Sequence, residues 1–96
     1  MKPKNTIWVF MGEGSRFPSG AFESRDDAES WIAKHHLSGL LSAMPVNQGV
    51  FDWAVVNNAL SMKPETLEKK QRDSYFIGTC TTAALEHYHY EHGIRQ

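Results

Sequence analysis

Residues 7–23, IWVFMGEGSRFPSGAFE, have the pattern of two strands joined by a wide loop. Ile7 to Met11 is almost continuously apolar and rich in β-prone residue types, which predicts a central strand covered on both faces. Gly12 to Gly20 contains three glycines and a proline, and such breakers indicate a loop. Ala21 to Glu23 then predicts a short strand that returns antiparallel to the first.

A helix is predicted directly after this pair, over Ser24 to His36. Ser24 is a good N-cap, and Asp27 three residues later is a variant of the capping box. Trp31 and Ile32 belong to an apolar stripe at helical spacing, so one face of the helix is expected to pack on the sheet. Gly39 belongs to the stop signal that follows.

The middle of the chain is less regular. Leu40 to Val46 predicts a third strand, with a proline near its end. Val50 to Leu60 fits either a strand or a helix, and we favour a short helix that ends near Asn57-Asn58. Residues 62–74 carry many charges and few apolar side chains, which indicates a surface loop or a short solvated helix.

Two further segments near the C-terminus are expected to be strands. Tyr75 to Thr81 is β-prone, and His87 to Glu91 alternates histidine with tyrosine. Alternation would place His87 and His89 on one face of the strand and Tyr88 and Tyr90 on the other.

These elements predict a single α+β domain over residues 1–96, with residues 1–6 frayed. We expect a mainly antiparallel sheet of four or five strands, with one principal amphipathic helix packed on one face. The side chains expected in the core, besides Trp31 and Ile32, are Trp8, Phe10, Phe22, Val46, Trp53, Phe76 and Ile77.

Composition limits the classes of function. Ten basic and eleven acidic residues give a net charge of −1, which argues against a nucleic-acid or membrane-surface binder. A single cysteine excludes an intramolecular disulfide. No apolar run is long enough for a membrane span, and no cleavable signal follows the N-terminus. We therefore expect a cytoplasmic protein that needs no cofactor.

Three segments are candidates for chemistry. His87 and His89 could hold a divalent cation if a third ligand joined them, whereas the plainer interpretation is a polar strand face. The loop from Gly12 to Gly20 lacks the Lys-Ser/Thr ending of a phosphate-binding loop, so we interpret it as a wide hairpin whose Arg16 and Phe17 could anchor a partner. Cys80 lacks the flanking residues of known nucleophilic cysteines and is expected to be a buried thiol.

The chain also resembles a family of small uncharacterised bacterial domains. Residues 8–22 follow its pattern W-V-F-x-G-x-G-x-x-F-P-S-G-x-F, and residues 28–32 follow A-E-x-W-I. The resemblance continues through Leu37–Gly39, Met44–Val46 and Gly49–Ala54 and ends at residues 86–91. Several positions depart mildly from the pattern, namely Met11, Met44, Gln48 and Phe51.

This resemblance implies a function of binding rather than catalysis. Small domains of this kind look like immunity proteins of contact-dependent inhibition or toxin–antitoxin loci, which neutralise a cognate toxin domain, commonly a nuclease, by occluding its active site. The chain is therefore expected not to be an enzyme, and its partner is expected to be such a toxin domain. The residues expected to contact that partner are Glu13, Arg16, Phe17, Glu23, Asp26 and Asp27.

Two other functions stay open at this point. One is a metal protein, ligand-binding protein or enzyme that uses the strand with His87 and His89 and a nearby carboxylate. The other is a regulatory module that binds a small ligand or a housekeeping protein. The sequence does not indicate the oligomeric state.

Overall fold

The computed structural model describes residues 5–96. Along the chain it contains β1 (Thr6–Gly12), β2 (Pro18–Phe22), α1 (Arg25–Lys34), β3 (Gly39–Pro45), α2 (Val50–Val56), α3 (Pro64–Lys70), α4 (Ser74–Ala84), β4 (His87–Glu91) and β5 (Ile94–Arg95). The strands form one sheet in the order β2-β1-β3-β4-β5, and every neighbouring pair is antiparallel. The predicted α+β class with an antiparallel sheet is confirmed.

The antiparallel strand pair at the start of the chain forms as predicted, with β1 in the interior of the sheet and β2 at its edge. The second strand begins at Pro18, inside the segment predicted as loop. The predicted cover on both faces of β1 is wrong, because Trp8 and Phe10 are buried on one face while Met11 on the other is 37% exposed. Pro18 lies in this edge strand, where a missing backbone N–H is tolerated. The register between β1 and β2 shifts at Phe10/Met11, so the loop end of the hairpin is irregular. Of the segment 1–6 that we expected to fray, Thr6 lies in β1 and the Asn5 carbonyl accepts a hydrogen bond from Val46 N; residues 1–4 lie outside those described.

The helix α1 begins as the sequence predicts. Ser24 has extended backbone angles, and its Oγ accepts a hydrogen bond from Asp27 N, 3.1 Å away. This bond satisfies one of the N–H groups that a helix start leaves unpaired. The buried residues of the helix are Ala28 and Ile32, four positions apart, so one stripe faces the sheet.

A first core lies between α1 and one face of the sheet. Alternation along the strands brings large side chains to this face, and the buried set is Trp8, Phe10, Ala28, Ile32, Leu41, Ala43 and Tyr90. Phe10 packs edge-on against both Trp31 and Tyr90, with ring centroids 5.9 and 6.4 Å apart. We call this side of the sheet the helix face and the opposite side the second face.

A second core lies among α2, α4 and the segment that enters β4. Its buried residues are Val50, Phe51, Trp53, Cys80 and Leu85, and Met44 of β3 packs against them. Within residues 5–96, the two cores have no residue in common. The favoured short helix after residue 50 is confirmed, with Asn57 as its C-cap, and part of the charged segment 62–74 forms the short helix α3.

The predicted strand over Tyr75–Thr81 is wrong, because this segment belongs to α4. Asp73 caps the helix by accepting a hydrogen bond from Phe76 N at 3.0 Å. Phe76 and Cys80, four residues apart, both reach the second core. Burial against α2 therefore overrides the β propensity of the segment.

Val46 was also placed wrongly in the core. Its side chain is 43% exposed, because β3 ends at Pro45 and the chain turns away at Asn47. The other expected core residues are buried or pack against one of the two cores.

The strand β5 was missed. It follows a two-residue turn in which His92 and Gly93 both have positive φ, and Glu91 pairs with Ile94. Positive φ at both central positions is the geometry that hairpins favour. The glycine also allows close packing, since a Cβ on Gly93 would lie 3.1 Å from the Cα of Ala33 in α1.

Candidate binding site

The β1–β2 loop is held in a defined shape by its own backbone. Ser15 N donates to the Gly12 carbonyl at 3.0 Å, and Glu13 N donates to the Ser38 carbonyl at 3.0 Å. Ser15 Oγ donates to the Phe17 carbonyl at 2.8 Å and accepts from Phe17 N at 3.2 Å. These hydrogen bonds constrain the backbone of the loop from Gly12 to Phe17.

The tip of this loop exposes two side chains that are typical of protein contacts. Arg16 is exposed, and 72% of Phe17 is accessible to solvent. Arginine and aromatic residues are enriched among the residues that carry binding energy.

A cleft lies behind the loop, which we call the loop cleft. Its volume is about 420 Å³, and its lining residues are Met11, Gly12, Glu13, Gly14, Ser15, Gly39, Leu40, His89, Tyr90, Glu91 and Gln96. The register pairs Met11 with Leu40 and Leu40 with His89. Side chains of paired residues lie on the same side of a sheet, so these three form a row on the second face.

The loop cleft is acidic. Its lining contains Glu13 and Glu91 but no lysine or arginine. Neither carboxylate forms an ion pair with another residue in the segment 5–96. The cleft therefore combines an apolar pair, Met11 and Leu40, with two unpaired negative charges, an arrangement suited to a cationic group that carries an apolar stem.

A second hollow lies at the start of α1, which we call the helix-start groove. Its volume is about 440 Å³, and it is lined by Trp8, Glu23, Ser24, Arg25, Asp26 and Glu86. Three of its residues are acidic, but the groove also contains Arg25, whose Nη1 lies 3.8 Å from a carboxylate oxygen of Glu86. Its negative charge is thus partly compensated within the chain.

All six residues expected to contact a partner are exposed, but they form two groups. Glu13, Arg16 and Phe17 lie on the loop before β2, whereas Glu23, Asp26 and Asp27 follow it. Five extended residues separate the groups, a distance of about 16 Å. Glu13 and His89 belong to separate candidate segments in the sequence, but both line the loop cleft.

The histidine strand has the expected alternation. His87 and His89 lie together, with ring centroids 5.3 Å apart, while Tyr90 is buried on the helix face. His87 Nδ1 lies 2.8 Å from the Leu85 carbonyl, so Nδ1 carries the proton and donates. Within residues 5–96, no three His, Cys, Asp or Glu side chains are grouped so that they could hold a metal ion.

A polar cluster between α1, β4 and β5 was missed by sequence reasoning. Arg25 Nη1 donates to Tyr88 Oη at 2.8 Å, and Tyr88 Oη donates to Glu86. The guanidinium carbons of Arg25 and Arg95 lie 5.0 and 5.1 Å from the centre of the Tyr88 ring. The hydrogen bond to Glu86 is the main reason that the pKa of Tyr88 is raised.

Glu29 links the same cluster to the core. Tyr90 Oη donates to Glu29 at 2.5 Å, and the same carboxylate lies 3.9 Å from both Arg25 and Arg95. Only the i, i+4 spacing of Arg25 and Glu29 signals any of this in the sequence. We interpret the cluster as a structural contact, because its charges are paired with one another.

Cys80 is not available as a nucleophile. The side chain is 1% exposed, and its Sγ lies 3.6 Å from the Phe76 carbonyl. Burial raises the pKa of the thiol, so the reactive thiolate is disfavoured.

Comparison with known proteins assigns a family without an activity. Residues 7–96 match the model of the Domain of unknown function (DUF7710) family. The chain belongs to this family. No curated protein and no solved structure matches it. No helix within the described residues is both long and apolar enough to cross a membrane.

Proposed function

We propose that this DUF7710 chain is a cytoplasmic immunity protein that binds a bacterial toxin domain, a nuclease, and occludes its active site. The observation that carries the proposal is the hydrogen-bonded β1–β2 loop, which exposes 72% of Phe17 and contributes Glu13 and Ser15 to the lining of an acidic cleft. A nuclease surface that binds phosphate is basic, and an acidic surface complements it. The analogy between small bacterial domains of this kind and immunity proteins supports the same function.

The mechanism needs no chemistry from this chain. Phe17 enters a pocket on the toxin, Arg16 contacts the rim, and Glu13 faces basic residues that would otherwise bind the phosphate backbone. The backbone supports these side chains, since Glu13 N donates a hydrogen bond to the Ser38 carbonyl and Ser15 N donates one to the Gly12 carbonyl. A preformed loop loses little conformational entropy on binding.

The first experiment is capture of the partner with tagged protein from the native cells, followed by mass spectrometry and a nuclease assay. We expect a stoichiometric toxin domain whose nuclease activity is abolished by one equivalent of this protein. Absence of any partner, or a partner with no toxic activity, would contradict the proposal.

Paired variants then test the loop with the captured toxin. Phe17→Ala is expected to weaken binding by about 2 kcal/mol or more, which is roughly 30-fold, because exposed aromatic anchors dominate such interfaces. The matched control is Tyr75→Ala, since Tyr75 is an aromatic residue with 84% exposure on α4. The control is expected to change affinity by less than about 0.5 kcal/mol. Equal effects of the two variants would remove the loop from the interface.

The metal alternative is tested on the same protein by zinc titration calorimetry. Under the proposal, His87→Ala and His89→Ala leave the heat of titration unchanged. Stoichiometric zinc uptake that both variants abolish would favour a metal protein instead.

A further inference from the structure

The loop cleft has two chemically different parts. Its floor includes Met11, which is 37% exposed, and Leu40, which is partly buried. Its rim includes Glu13 and Glu91, both exposed. An apolar floor next to carboxylates is complementary to a side chain that is apolar along its length and positive at its end.

The carboxylates of the cleft differ from those of Glu29 and Glu86 in having no arginine partner among the described residues. Glu29 and Glu86 lie within 4 Å of arginines of the same chain. Glu13 and Glu91 have no such partner among the described residues. A cation from outside the chain would therefore not have to displace an internal ion pair.

Three glycines belong to the lining of the cleft. Gly12, Gly14 and Gly39 contribute no side chains to its lining, and a Cβ added at Gly14 would meet nothing within 4 Å. With a volume of about 420 Å³, the cleft is in the size range of small-ligand sites and is large enough to hold one long side chain.

We infer that the loop cleft accepts an arginine side chain of the partner, with its methylene stem on Met11 and Leu40 and its guanidinium facing Glu13 and Glu91. Arginine is favoured over lysine because its planar group has five N–H donors in a fixed arrangement that suits carboxylates. This inference rests on the proposed function and names the group that the site recognises. Blocking an arginine that binds phosphate would also explain how occlusion disables a nuclease.

The test uses a small probe and does not require the partner. N-acetyl-arginine methylamide is titrated into the protein while the methyl signals of Met11 and Leu40 are followed by NMR. We expect saturable shifts confined to the cleft, with a dissociation constant on the order of 1–10 mM. N-acetyl-citrulline methylamide, which has nearly the same shape and no charge, is expected to bind at least about fivefold more weakly.

Variants assign the charge dependence to the rim. Glu13→Gln and Glu91→Gln are each expected to weaken arginine binding by about threefold. Glu68→Gln, an equivalent change at an exposed position of α3, is expected to leave binding unchanged. Equal binding of citrulline, or no effect of the two rim variants, would overturn the inference. Equal binding of N-acetyl-lysine methylamide would overturn the choice of arginine.

The inference and the proposed function fail separately. If the captured toxin binds the Glu13→Gln/Glu91→Gln double variant as tightly as the wild type, the arginine site is wrong and the immunity function stands. If the arginine probe binds but the native cells yield no toxin, the site stands and the immunity function is wrong.

Discussion

Gly39 is a residue whose importance comes from close packing. A Cβ at this position would lie 2.3 Å from the Met11 carbonyl oxygen and 2.7 Å from the Phe10 ring. Both neighbours belong to β1, the strand that pairs with β3 at this point. The sequence marks Gly39 only as the end of a helix signal, whereas the structure shows that it lets two strands and an aromatic ring meet.

Gly39→Ala is expected to lower the free energy of unfolding by about 1–3 kcal/mol, because backbone atoms cannot yield to the added methyl group as a flexible side chain would. Urea denaturation measures the change. Gly78→Ala is the matched control, since a Cβ there meets nothing within 4 Å and the residue lies inside α4. The control should raise stability by about 0.5–1 kcal/mol. If Gly39→Ala has the same free energy of unfolding as the wild type, β1 and β3 can move apart at this point without loss of stability.

The helix α1 is fixed to β4 by a partly buried polar contact as well as by apolar packing. Tyr90 is 4% exposed and donates to Glu29 of α1. Burial, followed by the hydrogen bond to Glu29, raises the pKa of Tyr90 above that of a free tyrosine. Folding therefore favours the protonated phenol.

This contact predicts a loss of stability in alkali. The unfolded chain releases the Tyr90 proton near pH 10, whereas the folded chain retains it to higher pH. The stabilisation is complete below about pH 10 and declines as the pH rises above it. Unfolding free energies measured from neutral pH to pH 11 should show this decline.

Tyr90→Phe separates the two effects of the hydroxyl. At neutral pH it should cost about 1–2 kcal/mol, since Glu29 loses its donor. Its alkaline decline should be shallower than that of the wild type, although Tyr88 and Cys80, whose pKa values folding also raises, still contribute. Tyr75→Phe, at an exposed ring, should follow the wild-type curve throughout. Identical slopes for Tyr90→Phe and the wild type would contradict the assignment.

At the scale of the whole molecule, the described chain is elongated and has two cores. Its extents are 45 × 27 × 21 Å. The sheet and α1 enclose the first core, whereas the second lies among short helices and touches the sheet mainly through Met44. Short helices depend on such packing, because they are marginal in isolation.

We expect the helical part to open without unfolding of the sheet. Hydrogen exchange should be faster at the amides of α2 and α4 than at those of β1 and β3. Phe10→Leu should speed exchange in the sheet alone, because its packing is kept when only the helices open, whereas Phe51→Leu should speed it in both the helices and the sheet. One common exchange rate for all protected amides would show a single cooperative unit instead.

Local patterns in the sequence are enough to predict the paired strands at the start, the capped helix and the α+β class. These features depend on local signals, namely the apolar run from Ile7, the glycines of the loop and the Ser24 cap. The sequence also placed the histidines and tyrosines of β4 on opposite faces, because strand alternation is local.

The helix over residues 75–81 and the lining of the loop cleft depend on contacts between distant parts of the chain. Residues 75–81 became helical because Cys80 is buried and Phe76 packs against Phe51 of α2, and β propensity could not foresee that partner. Glu13, His89 and Glu91 line one cleft because β1, β3 and β4 are adjacent in the sheet, and strand order depends on contacts between residues far apart in the chain. The physical reason is the same in both cases: long-range burial selects among structures that local sequence permits.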